Sequence, residues 1–304
     1  MFYRARFTYT RYYKKLSINE NEILLEAFNG ANINGNVYYL LLELCKNEDY
    51  KNYIKYISLK KNSPIIETYK EILGKWLNET ELSKVKIVIR NSKEYCKVLA
   101  EAKYLINNVS FPTYFMRKPE QIYLNTWHGT PLKGLGRNIK DDPISIGNVQ
   151  RNFMHATHLL FPNEYTFDIM RKDYMIVKFY NGKYILTGYP KNYIFFNKKI
   201  KKRIQNELNI NDKKVIIYMP TWRDKEVGDK NNKQVCYIMH AVYEMEKRLP
   251  SNMVVYVKLH HLTSGQINLD CFDKIREFPE EYETYEILNI ADCLVTDYSS
   301  VMFD

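Results

Sequence analysis

Short runs of β-forming residues alternate along this chain with longer amphipathic stretches, and the alternation predicts strand–helix–strand units. Glu22 to Gly30 predicts a first strand ending in a glycine turn, Val37 to Lys46 a helix, and Tyr53 to Leu59 a strand. Ile65 to Leu77 predicts a helix, Val85 to Arg90 a strand, Ser92 to Ala102 a helix and Lys103 to Asn107 a strand. Further strands fall at Ile122–Thr126, His158–Phe161 and Tyr184–Thr187. Strands spaced by helices predict a parallel sheet in an α/β fold. After Gly188, Tyr189 and Pro190 the pattern breaks at Lys198 to Arg203, a charge run that predicts an interdomain helix or linker. A second series starts at Val215–Met219, with a helix over Ile238–Lys247, a strand over Val254–Lys258 and a last strand at Cys293–Val295.

The pattern therefore predicts two Rossmann-like domains with parallel sheets facing a cleft, over 21–195 and 196–304, behind a basic and aromatic arm or first helix at 1–20. The second domain is expected to be cut short. A length of 304 residues, 45% hydrophobic and 26% charged, suits about two soluble domains. The net charge of +10 predicts either a solvated basic surface or attraction to anions, meaning phosphorylated substrates, an anionic membrane surface or nucleic acid. Dispersed basic residues form no nucleic-acid reading motif, which disfavours the last of these. Five scattered cysteines, without metal-type spacing, predict buried thiols in a reducing compartment. The N-terminus has no apolar signal-like region, and no run approaches the roughly 18 apolar residues of a spanning helix. A cytoplasmic protein with peripheral membrane contact is expected. Tyr193 to Phe196 followed by Lys198 to Arg203 is one candidate docking segment, against the alternative of a core-facing aromatic patch beside a solvated helix.

Chemistry-bearing residues collect where strands end. The apolar run Cys293–Val295 gives way to Thr296, Asp297, Tyr298, Ser299 and Ser300, then to an apolar restart, which predicts a loop and helix N-terminus suited to a phosphate group. Asn125 to Lys133 places His128 after a strand and before Gly129, flanked by Trp127, Thr130 and Pro131, where a neutral imidazole serves as a general base near pH 7. Gly188 to Asn192 predicts a turn presenting one cation, Lys191. Met219 to Asp224 offers Pro220, Thr221 and Arg223, the last suited to bidentate phosphate contact or simply paired with Asp224. Alternation along Val257 to Leu262 puts Lys258 and His260 on one face and His261 elsewhere, a pair that would neutralise a pyrophosphate and steady a leaving phosphate, which makes His260 a second catalytic candidate beside His128. His155, His158 and His240 are expected to be structural. The chain lacks a P-loop and a carboxylate cluster for magnesium, which disfavours NTPase or kinase chemistry.

Thr126 to Lys133, Pro220 to Arg223, Lys258 to His260 and Asp292 to Asp304, in this order, resemble the CDP-glycerol:poly(glycerophosphate) glycerophosphotransferase family of teichoic acid and capsule enzymes. The resemblance covers roughly residues 22–304. It implies a GT-B-like fold and attack of an acceptor hydroxyl on the β-phosphorus of CDP-glycerol, releasing CMP. It implies His128 as base, with Trp127, Gly129, Thr130 and Pro131 lining the donor site, and Pro220, Thr221, Lys258, Leu259, His260, Ser299, Ser300 and Asp304 holding CDP-glycerol. Lys191 and Lys258 stand where the family commonly has Arg, and His261 where it often has Pro or a bulky residue. No cofactor or metal is implied; the partners are the donor, a lipid-linked polyol-phosphate or glycan acceptor and an anionic membrane surface. A GT-B glycosyltransferase using a nucleotide sugar, or a truncated non-catalytic member, are the competing expectations.

Overall fold

A computed structural model of the chain describes residues 2–139, 142–221, 231–258 and 267–304. They divide into two compact units, Met1–Asn192 and Tyr193–Asp304.

The first unit runs α1 (Phe2–Lys15), β1 (Asn19–Glu26), α2 (Gly35–Lys46), β2 (Ile54–Leu59), α3 (Ile65–Gly74), α4 (Glu79–Leu82), β3 (Val85–Ile89), α5 (Lys93–Glu101) and β4 (Ala102–Asn107). It continues with β5 (Ile122–Asn125), α6 (Pro143–His155), β6 (His158–Phe161), α7 (Glu164–Asp173) and β7 (Lys183–Leu186). Among the described residues its strands form one parallel sheet of order β3-β2-β1-β4-β5-β6-β7. The central strand β1 buries Ile23, Leu24 and Leu25 in succession, as a parallel strand covered on both faces must. The order reverses between β1 and β4, and the loops at the carboxyl ends of those strands open the crevice where such sheets take ligands.

Residues 1–20 supply a helix and the start of β1. Ala5 and Tyr9 of α1 enter the core, and the Tyr9 hydroxyl donates to the Met116 carbonyl at 2.6 Å. Three helices of this unit went unrecognised in the sequence: the single turn α4, and α6 and α7. Asp142 caps α6 by accepting from the Ile144 and Ser145 amides at 3.0 and 3.1 Å, with Pro143 in the first helical turn. Asn163 caps α7 through the Thr166 amide at 2.9 Å. Both starts carry ordinary capping chemistry.

The second unit contains α8 (Lys198–Glu207), β8 (Lys214–Met219), α9 (Asn231–Arg248), β9 (Met253–Val257), β10 (Ile275–Glu277), α10 (Thr284–Ile290) and β11 (Cys293–Thr296). Its described strands form a parallel sheet of order β10-β9-β8-β11, so the order again reverses beside the unit's first strand. Along β9 the pleat sends Val254 and Tyr256 into one apolar cluster and Val255 and Val257 into another, one on each face. Two such parallel sheets, each wound in the Rossmann manner, make the chain GT-B-like.

Two expectations are corrected. The charge run at 198–203 is no linker, because Ile204 of the same helix is fully buried and Ile200 and Leu208 pack with it in the second unit's core. Spaced by four residues, these three form the apolar stripe that a charge-rich sequence hides. Cys45 and Cys96 are buried, but Cys236, Cys271 and Cys293 are exposed.

Candidate functional site

His128 follows β5 on the carboxyl edge of the first sheet, and loops from three strands hold it. Its Nδ1 lies 2.8 Å from the carbonyl oxygen of Asn108, just past β4. A carbonyl only accepts, so Nδ1 carries the proton and Nε2 the lone pair. Burial, and secondarily the nearby Lys191 ammonium, hold its pKa down to about 4 against the opposing hydrogen bond to Asn108. The ring is therefore neutral at pH 7, with its basic nitrogen defined by the fold.

The backbone beneath this ring is unusual. Trp127 has a left-handed φ of +50°, and Phe28, Asn29 and Gly30 after β1 are left-handed in succession. A side chain at Gly30 would meet the Lys60 amide nitrogen at 3.1 Å, and Gly30 accepts from that amide at 2.7 Å. Non-glycine residues persist in this region only where the surroundings fix them. Here the Trp127 amide donates to Asn125 Oδ1 at 2.9 Å, and its carbonyl accepts from Asn36 Nδ2 at 3.1 Å and Thr126 Oγ1 at 2.9 Å. The indole is buried against Phe153 and Tyr174 and stacks on the imidazole, ring centroids 4.1 Å apart. Trp127, expected to line the donor site, thus lies in the core beneath His128. The Phe28 ring flanks the imidazole at 5.3 Å.

Asn36, in the first turn of α2, also accepts from the Lys191 amide at 3.3 Å, tying the His128 loop to the loop after β7. Asn108 Oδ1 accepts from the Phe28 amide at 2.8 Å, joining the β1 and β4 loops. Lys191 is not the surface cation expected of a turn. It is 2% exposed, and its Nζ donates to the His128 carbonyl at 3.3 Å and lies over the Tyr189 ring. Gly129, Thr130 and Pro131 are buried beside it in sequence. Asn108 Nδ2 and the Oδ1 atoms of Asn29 and Asn34 are buried without a hydrogen-bond partner within the protein. Amides left so are costly unless something else satisfies them.

Asn36, Asn108 and Phe28 were absent from the candidate residues. The available signal was the Asn-rich chain after β1 and β4, which becomes meaningful only once strand order marks those two loops as the switch point. Asn148 and Asn152, which carried no readable chemistry, brace the chain after β4: Asn152 Oδ1 accepts from the Phe111 amide at 2.8 Å and Asn148 Nδ2 donates to Ser110 Oγ at 3.1 Å. His155 meets Phe115 edge-on, and His158 Nδ1 lies 2.9 Å from Thr157 Oγ1.

In the second unit the corresponding loops are joined by two bonds. Asp297 Oδ1 accepts from the Thr221 amide at 2.7 Å, and Thr296 Oγ1 donates to the Met219 carbonyl at 2.7 Å. Pro220, Thr221, Thr296 and Asp297 therefore lie together, with Ser299 following Asp297 through a 3.0 Å backbone bond. Ser299 Oγ faces the Val301 amide at 3.5 Å, and Ser300–Phe303 form a 3-10 turn rather than the expected α-helical start. Asp304 Oδ2 accepts from the Tyr285 hydroxyl at 2.6 Å. Lys258 sits at the end of β9 with its ammonium 3.8 Å from the Phe278 ring centroid; burial lowers its pKa, with Glu283 and Glu280 opposing. Arg223, Leu259, His260 and His261 lie outside the described residues.

A neutral, tautomer-fixed histidine beside one switch point and a hydroxyl-bearing strand-end loop at another sit on a GT-B-like fold. Residues 7–304 match the model of the family described as CDP-glycerol:poly(glycerophosphate) glycerophosphotransferase, and the chain belongs to that family. It is 31% identical over 307 residues to a teichoic acid poly(glycerol phosphate) polymerase of Staphylococcus epidermidis, covering 96% of this chain and 39% of that protein. A protein of the same description from Bacillus spizizenii is 29% identical, with 94% and 71% covered. The chain thus spans well under half of the first relative. Among solved structures, a histidine-to-asparagine variant of the wall teichoic acid polymerase TagF, soaked with CDPG, aligns with a TM-score of 0.80 and 28% identity over 99% of this chain and 71% of its own.

Proposed function

We propose that this chain transfers glycerol phosphate, or a related polyol phosphate, from CDP-glycerol to a hydroxyl of a teichoic acid or capsule acceptor. The observation that carries the reading is His128: its Nδ1–H is committed to Asn108, and its Nε2 lone pair is available at neutral pH. Nε2 takes the proton of the acceptor hydroxyl as its oxygen attacks the β-phosphorus of the donor. The new P–O bond forms as the bond to the α-phosphate oxygen breaks, and CMP leaves with that electron pair. The buried Oδ1 atoms of Asn29 and Asn34 and Nδ2 of Asn108, without a partner among the described residues, suit the hydroxyls of a polyol. Pro220, Thr221, Lys258, Ser299 and Ser300 are assigned to the donor, and Arg223 and His260 are assigned with them from the family motif alone.

The acceptor is proposed to be lipid-linked and met at an anionic leaflet. Tyr193 and Phe196 are 66% and 83% exposed beside the exposed Lys198, Lys199 and Lys202, which supports a peripheral surface there. Among the described residues no helix is long and apolar enough to cross a membrane.

The test is His128→Ala. CMP release should fall by about 10²–10⁴-fold, with the Kd for CDP-glycerol within twofold of the parent. Undiminished release removes the base assignment, and UDP release from UDP-sugars in place of CMP would favour a glycosyltransferase.

A further inference from the structure

A cavity of about 920 Å³ lies between α1 and the start of α5, reaching the carboxyl end of β3 at Asn91 and Ser92. From α1 it is lined by Arg4, Thr8, Arg11 and Lys15, spaced four, three and four residues apart. That spacing keeps all four on one helical face, a stripe about 16 Å long. Lys93 and Ser92 face it from α5. No carboxylate lines the groove, and among the described residues none of Arg4, Arg11, Lys15 and Lys93 forms an ion pair. Some cations of this unit do pair, as the exposed Lys97 with Glu101 and the half-buried Arg171 with Asp168. A bland solvated helix face would be convex and salted with both signs. This one is concave, linear and of one sign.

We propose that this groove binds the phosphodiester chain of a polyol-phosphate acceptor, holding units already added while the terminal hydroxyl reaches His128. The proposal rests on the transfer reading for the identity of the polyanion. A linear row of cations matches a polymer bearing one charge per repeat and offers little to a single compact phosphate. The groove begins at Asn91 and Ser92, just after β3, and His128 follows β5. Four strand spacings separate those ends, roughly 19 Å, a span that a few repeats of a flexible phosphodiester can bridge.

The experiment measures binding of a fluorophore-labelled glycerol-phosphate oligomer by anisotropy, without donor. Arg4→Gln with Arg11→Gln should weaken the oligomer at least tenfold and lower the slope of log Kd against log salt by about 1.4. Arg6→Gln with Lys14→Gln, which removes the same charge from α1 outside the groove, should change Kd by less than twofold. Equal losses in the two pairs, or no loss in either, overturn the proposal. So does binding of phosphatidylglycerol vesicles that depends on Arg4 and Arg11 while the oligomer does not bind, since the groove would then read lipid headgroups. CDP-glycerol Kd and the His128→Ala assay report on the transfer reading separately, so its failure would leave the oligomer result standing.

Discussion

At the end of β5 the His128 loop is fastened by the side chains of Asn36, Asn125 and Lys191 and by the Asn108 carbonyl, all from buried residues, and its Trp127 adopts a backbone conformation only such fastening sustains. At the ends of β8 and β11, in a unit of the same strand order, the Thr221 amide and the Thr296 hydroxyl bridge the loops among the described residues, and Tyr298, Met302 and Phe303 stand exposed. The contrast fits the roles proposed for the two loops. Proton transfer needs one nitrogen held in one tautomer at one position, where small displacements cost rate steeply. Holding a charged nucleotide relies on polar groups that tolerate adjustment as the ligand arrives. One unit is preorganised around a single atom, the other offers a polar edge.

The largest expected effect comes from cutting the tightest tie. Asn36→Ala removes the bonds to the Trp127 carbonyl and the Lys191 amide at once. It should lower kcat about 100-fold with little change in KM for CDP-glycerol, and cost about 1–3 kcal/mol of stability by leaving buried groups unpaired. A raised KM with unchanged kcat would show that the loop binds donor rather than positions the base.

Most of the fold was legible in the sequence because parallel strands announce themselves as apolar runs; β1, β3, β8 and β9 fall within a residue or a few of where the pattern places them. Helices α6 and α7 were not, since their apolar positions are sparse and tertiary packing rather than propensity makes them helical; α8 was legible as a helix but not as part of a core. His128 was legible from its strand-end position beside glycine. What fixes it was not: Asn36 and Asn108 lie far from it in sequence and reach it only through the reversal of strand order. Lys191 misled because Gly188 and Pro190 mark a turn without saying which way its side chains face.

A smaller effect is expected from the looser loop. Ser299→Ala with Ser300→Ala should weaken CDP-glycerol binding about thirtyfold, near 1 kcal/mol for each lost hydrogen bond, while kcat at saturating donor stays within about threefold. A collapse of kcat would put this loop in the chemistry and erase the distinction drawn between the two units. An unchanged donor Kd would sink the phosphate role of the serines.

The smallest effect separates the units by acid. Burial lowers the pKa values of His128 and His155 to about 4, and lowers that of His158, and all three lie in the first unit. Their ordinary value is 6.5, so between there and about 4 the unfolded chain binds protons that the folded one refuses. Stability from these groups is therefore whole above pH 6.5 and drains away as the pH falls toward 4. The first unit should become protease-sensitive before the second on acidification. His155→Gln, which removes a titrating ring outside the proposed catalytic loop, should make the drop in Tm between pH 7 and pH 5 smaller than in the parent. If the variant loses as much as the parent, or if the second unit is cleaved first, buried histidines are not what makes the rigid unit acid-sensitive.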